Sequence, residues 1–411
     1  MRILFLCHRI PYPPDKGDKI RAFHELQALA ARHTVDVFTL ADDASDIAHR
    51  EALAAYCNSV TVELVRGSAA RWRSLPVLLT GQPLTLKYFY SAALHEQVRR
   101  ALASHAYDRV VVYCSAMGQY LDFDSRIPVI MDFVDMDSDK WRQYAEVARF
   151  PLSTIYRREA RTLRVYEREL CGKCSGLAVT TEREARVARG IHPAKTIHVI
   201  PNGVDTAYFD PAVVPRVASE PTVIFAGDMG YFPNEQAAIH FATEVLPLVR
   251  RSVPGTRFLI AGRRPGKRVL NLKSIDGVEV TGFVPDIRSC LARAHVSVAP
   301  FRIGTGIQNK VLEAMSYGLP VVLTPRAAQG IAPGIADCVD IGDSADELAS
   351  KIVPLLRNPD HANRRGMENR RRVAHHYSWD SAMEFFLRLV EQPSKVEIPG
   401  GGIGCFSSQS R

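Results

Sequence analysis

The chain has 411 residues, 46% of them hydrophobic and 8% aromatic, and a formal net charge of +8. That length makes two domains the expectation, each able to bury a full core. The basic balance points to anionic partners such as phosphates, nucleotides or an acidic membrane face. The absence of RRM, KH and zinc-finger patterns sets nucleic acid aside.

Eight cysteines are scattered at positions 7, 57, 114, 171, 174, 290, 338 and 405. Several lie in apolar, strand-like runs, where cysteine acts as a small buried hydrophobe, as in a reducing cytoplasm. Cys171-Gly172-Lys173-Cys174 is a single CxxC with no second pair to complete a zinc site. The run Ile3 to Cys7 is too short for the core of a signal peptide, and His8-Arg9 follows at once. No run reaches the ~18 apolar residues of a spanning helix. The sequence reads as cytoplasmic, either soluble or peripheral at the inner membrane face.

In chain order, Ile3 to Cys7 predicts a central parallel strand. The loop from His8 to Lys19 follows, then an amphipathic helix to about Ala31. Val35 to Leu40, Val60 to Val65, Arg109 to Tyr113, Pro128 to Met131, Gly176 to Thr180 and Ile197 to Ile200 continue the strand series. Strands alternating with helical patterns imply βαβ units. Val213 to Pro221 reads as a linker, after which the pattern restarts. Thr222 to Gly227 is a strand and Asn234 to Arg250 a helix. Phe258 to Gly262, Val278 to Thr281, Val296 to Ala299 and Pro320 to Leu323 are further strands. Ser378 is a good N-cap for a helix from Trp379 to Val390, and the Gly- and Ser-rich tail beyond it reads as disordered. Two α/β domains in tandem leave a cleft between their strand ends, where open sheets bind ligands.

The stretch Phe301 to Val322, FRIGTGIQNKVLEAMSYGLPVV, combines two binding features. The small turn Gly304-Thr305-Gly306 feeds a helix beginning near residue 307, whose N-terminus favours an anion. Glu313, about two turns further on, can accept hydrogen bonds from sugar hydroxyls.

Taken together, Pro201-Asn202-Gly203-Val204-Asp205 with Phe209, the Gly227 loop with Asn234, the Gly262 strand end and the run KVLEAMSYGLPVV resemble the retaining family 4 glycosyltransferases. HRIPYPPDKGDKIR and DFVDMDSDKW resemble a narrower group, the sugar transferases associated with bacterial exosortase (PEP-CTERM) exopolysaccharide clusters. The resemblance implies a GT-B fold: two Rossmann-like domains facing a central cleft, with a C-terminal helix crossing back to the first domain. The expected parts are an acceptor-binding domain over 1–212, a donor-binding domain over 213–376, a crossover helix over 377–391 and a tail over 392–411. A nucleotide-sugar is the donor, a carbohydrate, preferably lipid-linked, is the acceptor, and no cofactor or obligatory metal is implied.

By that resemblance Glu313 holds the donor ribose. The family's first glutamate falls at Thr305, which can hydrogen-bond a hydroxyl but brings no charge. Gly304, Thr305 and Gly306, with Lys310, Arg263 and Arg264, are candidates for the leaving diphosphate, since cations and helix N-termini there lower the barrier. The family's Arg and Lys pair after the first strand of this domain is replaced by Asp228-Met229-Gly230-Tyr231. Gly227 and Asn234 belong to the loop below the donor, and Val284 to the place of the base. Gly17 and Asp18 form the loop expected to meet donor phosphate and acceptor. After the strand ending at Met131 the family often has a histidine; none is present, which leaves Asp135 or Asp137 for the reacting centre. The alternating acids Asp135, Asp137 and Asp139 also suggest a metal loop, but Lys140 stands where such a turn needs glycine, so capping of the helix around Trp141 is the simpler reading. Arg157, Arg161, Arg164 and Arg168 share one narrow helix face. With the apolar segment Trp72 to Leu79 they offer a contact for an anionic membrane surface. A nucleotide-sugar epimerase of the same architecture and a non-catalytic assembly protein are the alternatives.

Overall fold

The computed structural model describes residues 1–15, 17–65, 67, 70, 74–104, 106–123, 127–217, 219–303 and 308–392. Seven strands form the first sheet: β1 (Arg2–Cys7), β2 (Thr34–Ala41), β3 (Ser59–Leu64), β4 (Arg109–Tyr113), β5 (Val129–Asp132), β6 (Gly176–Val179) and β7 (His198–Val199). Their order is β3-β2-β1-β4-β5-β6-β7, with every pair parallel. Such strands are buried on both faces, which is why β1 is a continuous apolar run. Leu4 and Leu6 join Phe38, Leu40, Val110 and Val112 in one core. Ile3, Phe5 and Cys7 join Val35, Val37, Val111 and Tyr113 in the other, the alternation that a pleated strand imposes.

The second sheet contains β8 (Thr222–Ala226), β9 (Arg257–Ala261), β10 (Val278–Gly282), β11 (Val296–Ala299), β12 (Val321–Leu323) and β13 (Asp340–Ile341). Its order is β10-β9-β8-β11-β12-β13, again all parallel. Helices on both faces enclose a single large core. The helices that shape the cleft are α1 (Gly17–Ala30), α2 (Asp137–Val147), α3 (Leu152–Lys173), α4 (Phe232–His240), α5 (Asn309–Ser316), α6 (Pro359–His376) and α7 (Trp379–Glu391).

The chain crosses between the lobes twice, and the two crossings touch: Val204 N donates to Tyr377 O at 2.9 Å. Gly203 is required there, since a Cβ would stand 2.5 Å from Trp379 N. The Ser378 hydroxyl caps α7 by accepting from Ser381 N. Trp379, Phe386, Leu387, Leu389 and Val390 then bury themselves in the same core as Ile3 and Phe5. Each such side chain contributes roughly 1.5–3 kcal/mol when removed from water. The last helix therefore crosses back and fastens the C-terminal lobe to the first.

The structure departs from the expected single helix over Asn234 to Arg250. After α4 the chain passes through a π turn at Phe241–Val245 before helix resumes at Leu246–Ser252. Pro247 lacks the N–H that a regular turn would use, which accounts for the break. The disordered tail expected after Gln392, and Trp72 with Arg73 of the apolar segment, lie outside the described residues.

Candidate active site in the interdomain cleft

Each sheet changes direction of winding once, between β1 and β4 in the first and between β8 and β11 in the second. The crevice at such a switch, beyond the strand C-termini, is where open α/β sheets hold ligands. The loops leaving these strands face one another. Arg263, after β9, donates to Asp15, after β1, at 2.7 Å. A Cβ on Gly17 would lie 3.5 Å from Asn309 Nδ2. Gly17 opens α1 and Asn309 opens α5, so the N-termini of two helices from different lobes meet across the gap. Unpaired N–H groups and the helix dipoles make that meeting point favourable for an anion.

The C-terminal lobe supplies the charged floor. Gly227 and Gly262 end β8 and β9 with φ of +151° and +143°, and a Cβ on Gly262 would stand 1.7 Å from Gly227 O. Only glycine allows this backbone contact. It leaves the face of Gly227 open to Lys310, whose Nζ would lie 3.1 Å from a Cβ there. Lys310 Nζ donates to Asn234 Oδ1 at 2.7 Å, and Asn234 Nδ2 donates to Asp228 O at 2.8 Å. The ammonium also lies over the Phe301 ring, 4.7 Å from its centroid. Burial pushes the Lys310 ammonium down to about 8, against the pull of Glu313 and Asp228.

Glu313 lies one turn along α5 from Lys310. Burial pushes its carboxyl up to about 7, with Lys310 opposing. No hydrogen-bond partner of this carboxylate is found among the described residues, although the residue is half-buried. A carboxylate so placed has unmet acceptor capacity for a hydroxyl-bearing ligand.

Arg263 and Arg264 are both engaged by acids. Arg263 bonds Asp15 and approaches Asp228 at 3.4 Å. Arg264 pairs with Asp228 and points outward, exposed, from a backbone with φ of +55°. Arg263 alone of the two reaches across the cleft. Val284 is half-buried beside the apolar core of this lobe. Gly304, Thr305 and Gly306 lie outside the described residues; α5 begins at Asn309, two residues later than the start expected near 307.

On the opposite wall, Asp18 accepts from Arg9 Nη1 at 2.6 Å and has His8 Nε2 at 3.6 Å. Burial would raise this carboxyl, but the neighbouring His8 and the Arg9 charge hold it well below the usual range. Asp18 is thus a fixed anion that orders Arg9 and His8 at the cleft. The loop after β5 carries the acids. Val134 has φ of +64°, a strained conformation for a β-branched residue, of the kind found at functional sites. Asp132 holds it by accepting Val134 N at 2.7 Å. Asp135 accepts from Thr180 Oγ1 at 3.2 Å. Burial raises its carboxyl, with Lys140 opposing.

Asp137, the other candidate for the reacting centre, has partners of its own. It opens α2, accepts from Ser115 Oγ at 2.9 Å and is paired with Lys140; despite burial, that lysine keeps it below the ordinary range. Asp139 goes elsewhere again, to Arg142 and Arg183. The alternating acids have separate partners, Thr180 for Asp135, Lys140 for Asp137 and two arginines for Asp139, and no His, Cys, Asp or Glu group of metal-binding geometry occurs among the described residues.

Residues that sequence reasoning passed over join the two walls. Arg21 is fully buried on α1 and donates to Asp132 at 2.8 Å, to Ile200 O at 2.8 Å and to Asn202 Oδ1 at 3.1 Å. Asn202 Nδ2 in turn donates to Asn309 Oδ1 at 2.9 Å. One guanidinium thereby ties the β5 loop, the first crossing and the start of α5. Its signal was an arginine amid the apolar positions of an amphipathic helix. Across the outer cleft, Tyr144 Oη donates to Tyr231 Oη at 3.0 Å and the Tyr144 ring meets Phe232 edge-on.

Residues 20–203 match the family model for the glycosyl transferase 4-like domain, and residues 220–358 match that for glycosyl transferases group 1. Both lobes carry a glycosyltransferase domain. One subunit of the Arabidopsis thaliana phosphatidylinositol N-acetylglucosaminyltransferase is 31% identical over 218 residues, 48% of this chain and 44% of that protein. The GDP-mannose-dependent alpha-(1-6)-phosphatidylinositol monomannoside mannosyltransferase of Mycobacterium tuberculosis is 28% identical over 229 residues, 49% of this chain and 58% of that protein. The matches thus span about half the length of these curated relatives. Among solved structures, sucrose-phosphate synthase from Thermosynechococcus elongatus superposes with a TM-score of 0.71 at 19% identity, covering 95% of this chain and 98% of that one. Anabaena HepE in complex with UDP gives 0.64 at 15% identity, covering 94% and 99%. These likenesses agree with the two sheets in assigning the GT-B glycosyltransferase fold.

Proposed function

We propose that the protein transfers a sugar, with retention, from a nucleotide-sugar donor to a carbohydrate acceptor on a lipid carrier, in exopolysaccharide biosynthesis at the cytoplasmic membrane face. The observation that carries this reading is the meeting of the α1 and α5 N-termini beside Lys310 and a Glu313 carboxylate that has no hydrogen-bond partner among the described residues. A diphosphate suits the first pair of features and ribose hydroxyls suit Glu313. The lipid-linked acceptor draws support from the two relatives above, both named for phosphatidylinositol substrates.

In the reaction, the bond from the anomeric carbon to phosphate breaks and the diphosphate leaves with the electron pair. The two helix ends, Lys310 and Arg263 stabilise that charge without any metal. The acceptor hydroxyl forms the new bond and gives up its proton. Asp135 suits that step, because its raised carboxyl makes a better base than an ordinary one and no direct ion pair holds it among the described residues. The first lobe holds the acceptor and the second the donor, and closure between them excludes water.

A thermal-shift screen with UDP, GDP, ADP and their sugar conjugates tests the proposal. A diphosphate bound by the folded protein must raise its melting temperature. Donor conversion without acceptor would instead indicate an epimerase, and no shift with any nucleotide would indicate an assembly role.

A further inference from the structure

The turn between α2 and α3 leaves apolar side chains in solvent: Val147 is 48% exposed, Phe150 84% and Leu152 50%. Single exposed apolar residues need no explanation, but several at one tip mark a contact surface. A neighbouring segment extends the tip. Arg158, about 9 Å along α3 from Leu152, donates to Val77 O at 2.6 Å and Gln82 O at 3.0 Å. Glu159 accepts from Leu84 N and Thr85 N at 2.7 and 2.8 Å. These bonds hold the 77–85 segment on the first half of α3 and present Leu79, 93% exposed.

The outer face of α3 supplies charge. Arg157, Arg161, Arg164 and Arg168 are exposed. Arg164 donates to Gly190 O, and among the described residues none of the four has a carboxylate partner. Nearby arginines do: Arg142 pairs with Asp139 and Glu146, and Arg189 with Glu182. An apolar tip bordered by uncompensated arginines is complementary to a bilayer with anionic head groups, the tip entering the interface and the guanidinium groups facing phosphate.

The patch also leads to the reaction site. Tyr156, on the first turns of α3, packs on Trp141 with ring centroids 5.1 Å apart and also meets Tyr144. Tyr144 bonds Tyr231 across the cleft. An aromatic row thus runs from the first turns of α3 to the cleft rim.

We propose that the 147–152 turn, Leu79 and the arginine face of α3 dock the protein on an anionic lipid bilayer, with the cleft opening toward the surface that carries the acceptor. The orientation rests on the lipid-linked acceptor proposed above; the docking surface itself does not.

Flotation of the full chain with phosphatidylcholine vesicles, with and without phosphatidylglycerol, tests the proposal. Binding is expected only with phosphatidylglycerol and should fall as salt is raised. The double variant Phe150→Ser, Leu152→Ser should lose it. Arg157→Glu with Arg161→Glu should weaken it by roughly 30-fold or more, since each basic residue near an anionic surface contributes about fivefold. Phe385→Ser, which removes an exposed ring on α7, should leave it unchanged. Equal binding to pure phosphatidylcholine, no binding to either vesicle, or self-association abolished by the Phe150 and Leu152 changes would overturn the proposal. A nucleoside diphosphate should still raise the melting temperature of each variant. Loss of that shift with vesicle binding intact would count against the donor reading and leave the docking surface standing.

Discussion

Replacing Glu313 by Gln keeps its size and removes its charge, which isolates the part of donor binding assigned to it. The carboxyl stands near 7 and the Lys310 ammonium near 8, so both titrate close to physiological pH. On the proposed reading, an ionised Glu313 accepts from the ribose and a charged Lys310 faces the diphosphate. Affinity for a nucleoside diphosphate should therefore rise as pH increases through about 7 and fall again above about 8. A hydrogen bond to a charged group contributes about 1.5–3 kcal/mol, or roughly 10- to 150-fold in Kd. At pH 7.5, roughly within the window between these values, Glu313→Gln should weaken binding by that factor. It should also flatten the acid limb, while Lys310→Met flattens the alkaline one. Calorimetric titration of wild type and both variants from about pH 5.5 to 9 covers the two transitions, and ionisation of the ligand's own phosphates cancels between them. The ligand-free protein gives a companion signal. A carboxyl raised in the folded state loses stability as pH climbs from its unfolded value toward 7, and Glu313→Gln should remove that loss. Parallel pH profiles for wild type and Glu313→Gln would refute the assignment of Glu313 to the donor.

Gly262→Ala places a Cβ 1.7 Å from Gly227 O at a φ of +143°; chemical denaturation should show a loss near 3 kcal/mol, and a change under about 0.5 kcal/mol would contradict the backbone contact. Arg21→Met strands Asp132 and Glu25 without their buried cation. Urea unfolding should register about 3–5 kcal/mol of destabilisation, and near-neutral behaviour would show the network to be dispensable. Asp15→Ala frees Arg263 from its cross-cleft pair. Nucleoside diphosphate affinity should then rise by up to about fivefold, the upper value for a partly exposed ion pair; weaker binding would mean that Asp15 itself supports the ligand.

Much of this molecule could be read along the chain. The apolar runs Ile3 to Cys7 and Thr222 to Gly227 announce central parallel strands because both faces of such a strand are buried. Ser378 and the apolar spacing after Trp379 announce the last helix for equally local reasons. Glu313 and Lys310 could be placed on one helix because the apolar spacing after residue 307 is local, and they fall one turn apart on it. What each acid meets could not be read in this way. Asp135 and Asp137 are two residues apart, yet one rests against Thr180 and the other against Lys140 and Ser115. Arg263 and Arg264 are neighbours, but only one crosses the cleft to Asp15. The link from Arg21 through Asn202 to Asn309 joins residues up to 288 positions apart (309 − 21). Local pattern selects the elements, since periodicity and capping act within a few residues. Pairing of charges depends on which loops the two sheets bring together, and that is settled only when both lobes have folded and the last helix has tied them.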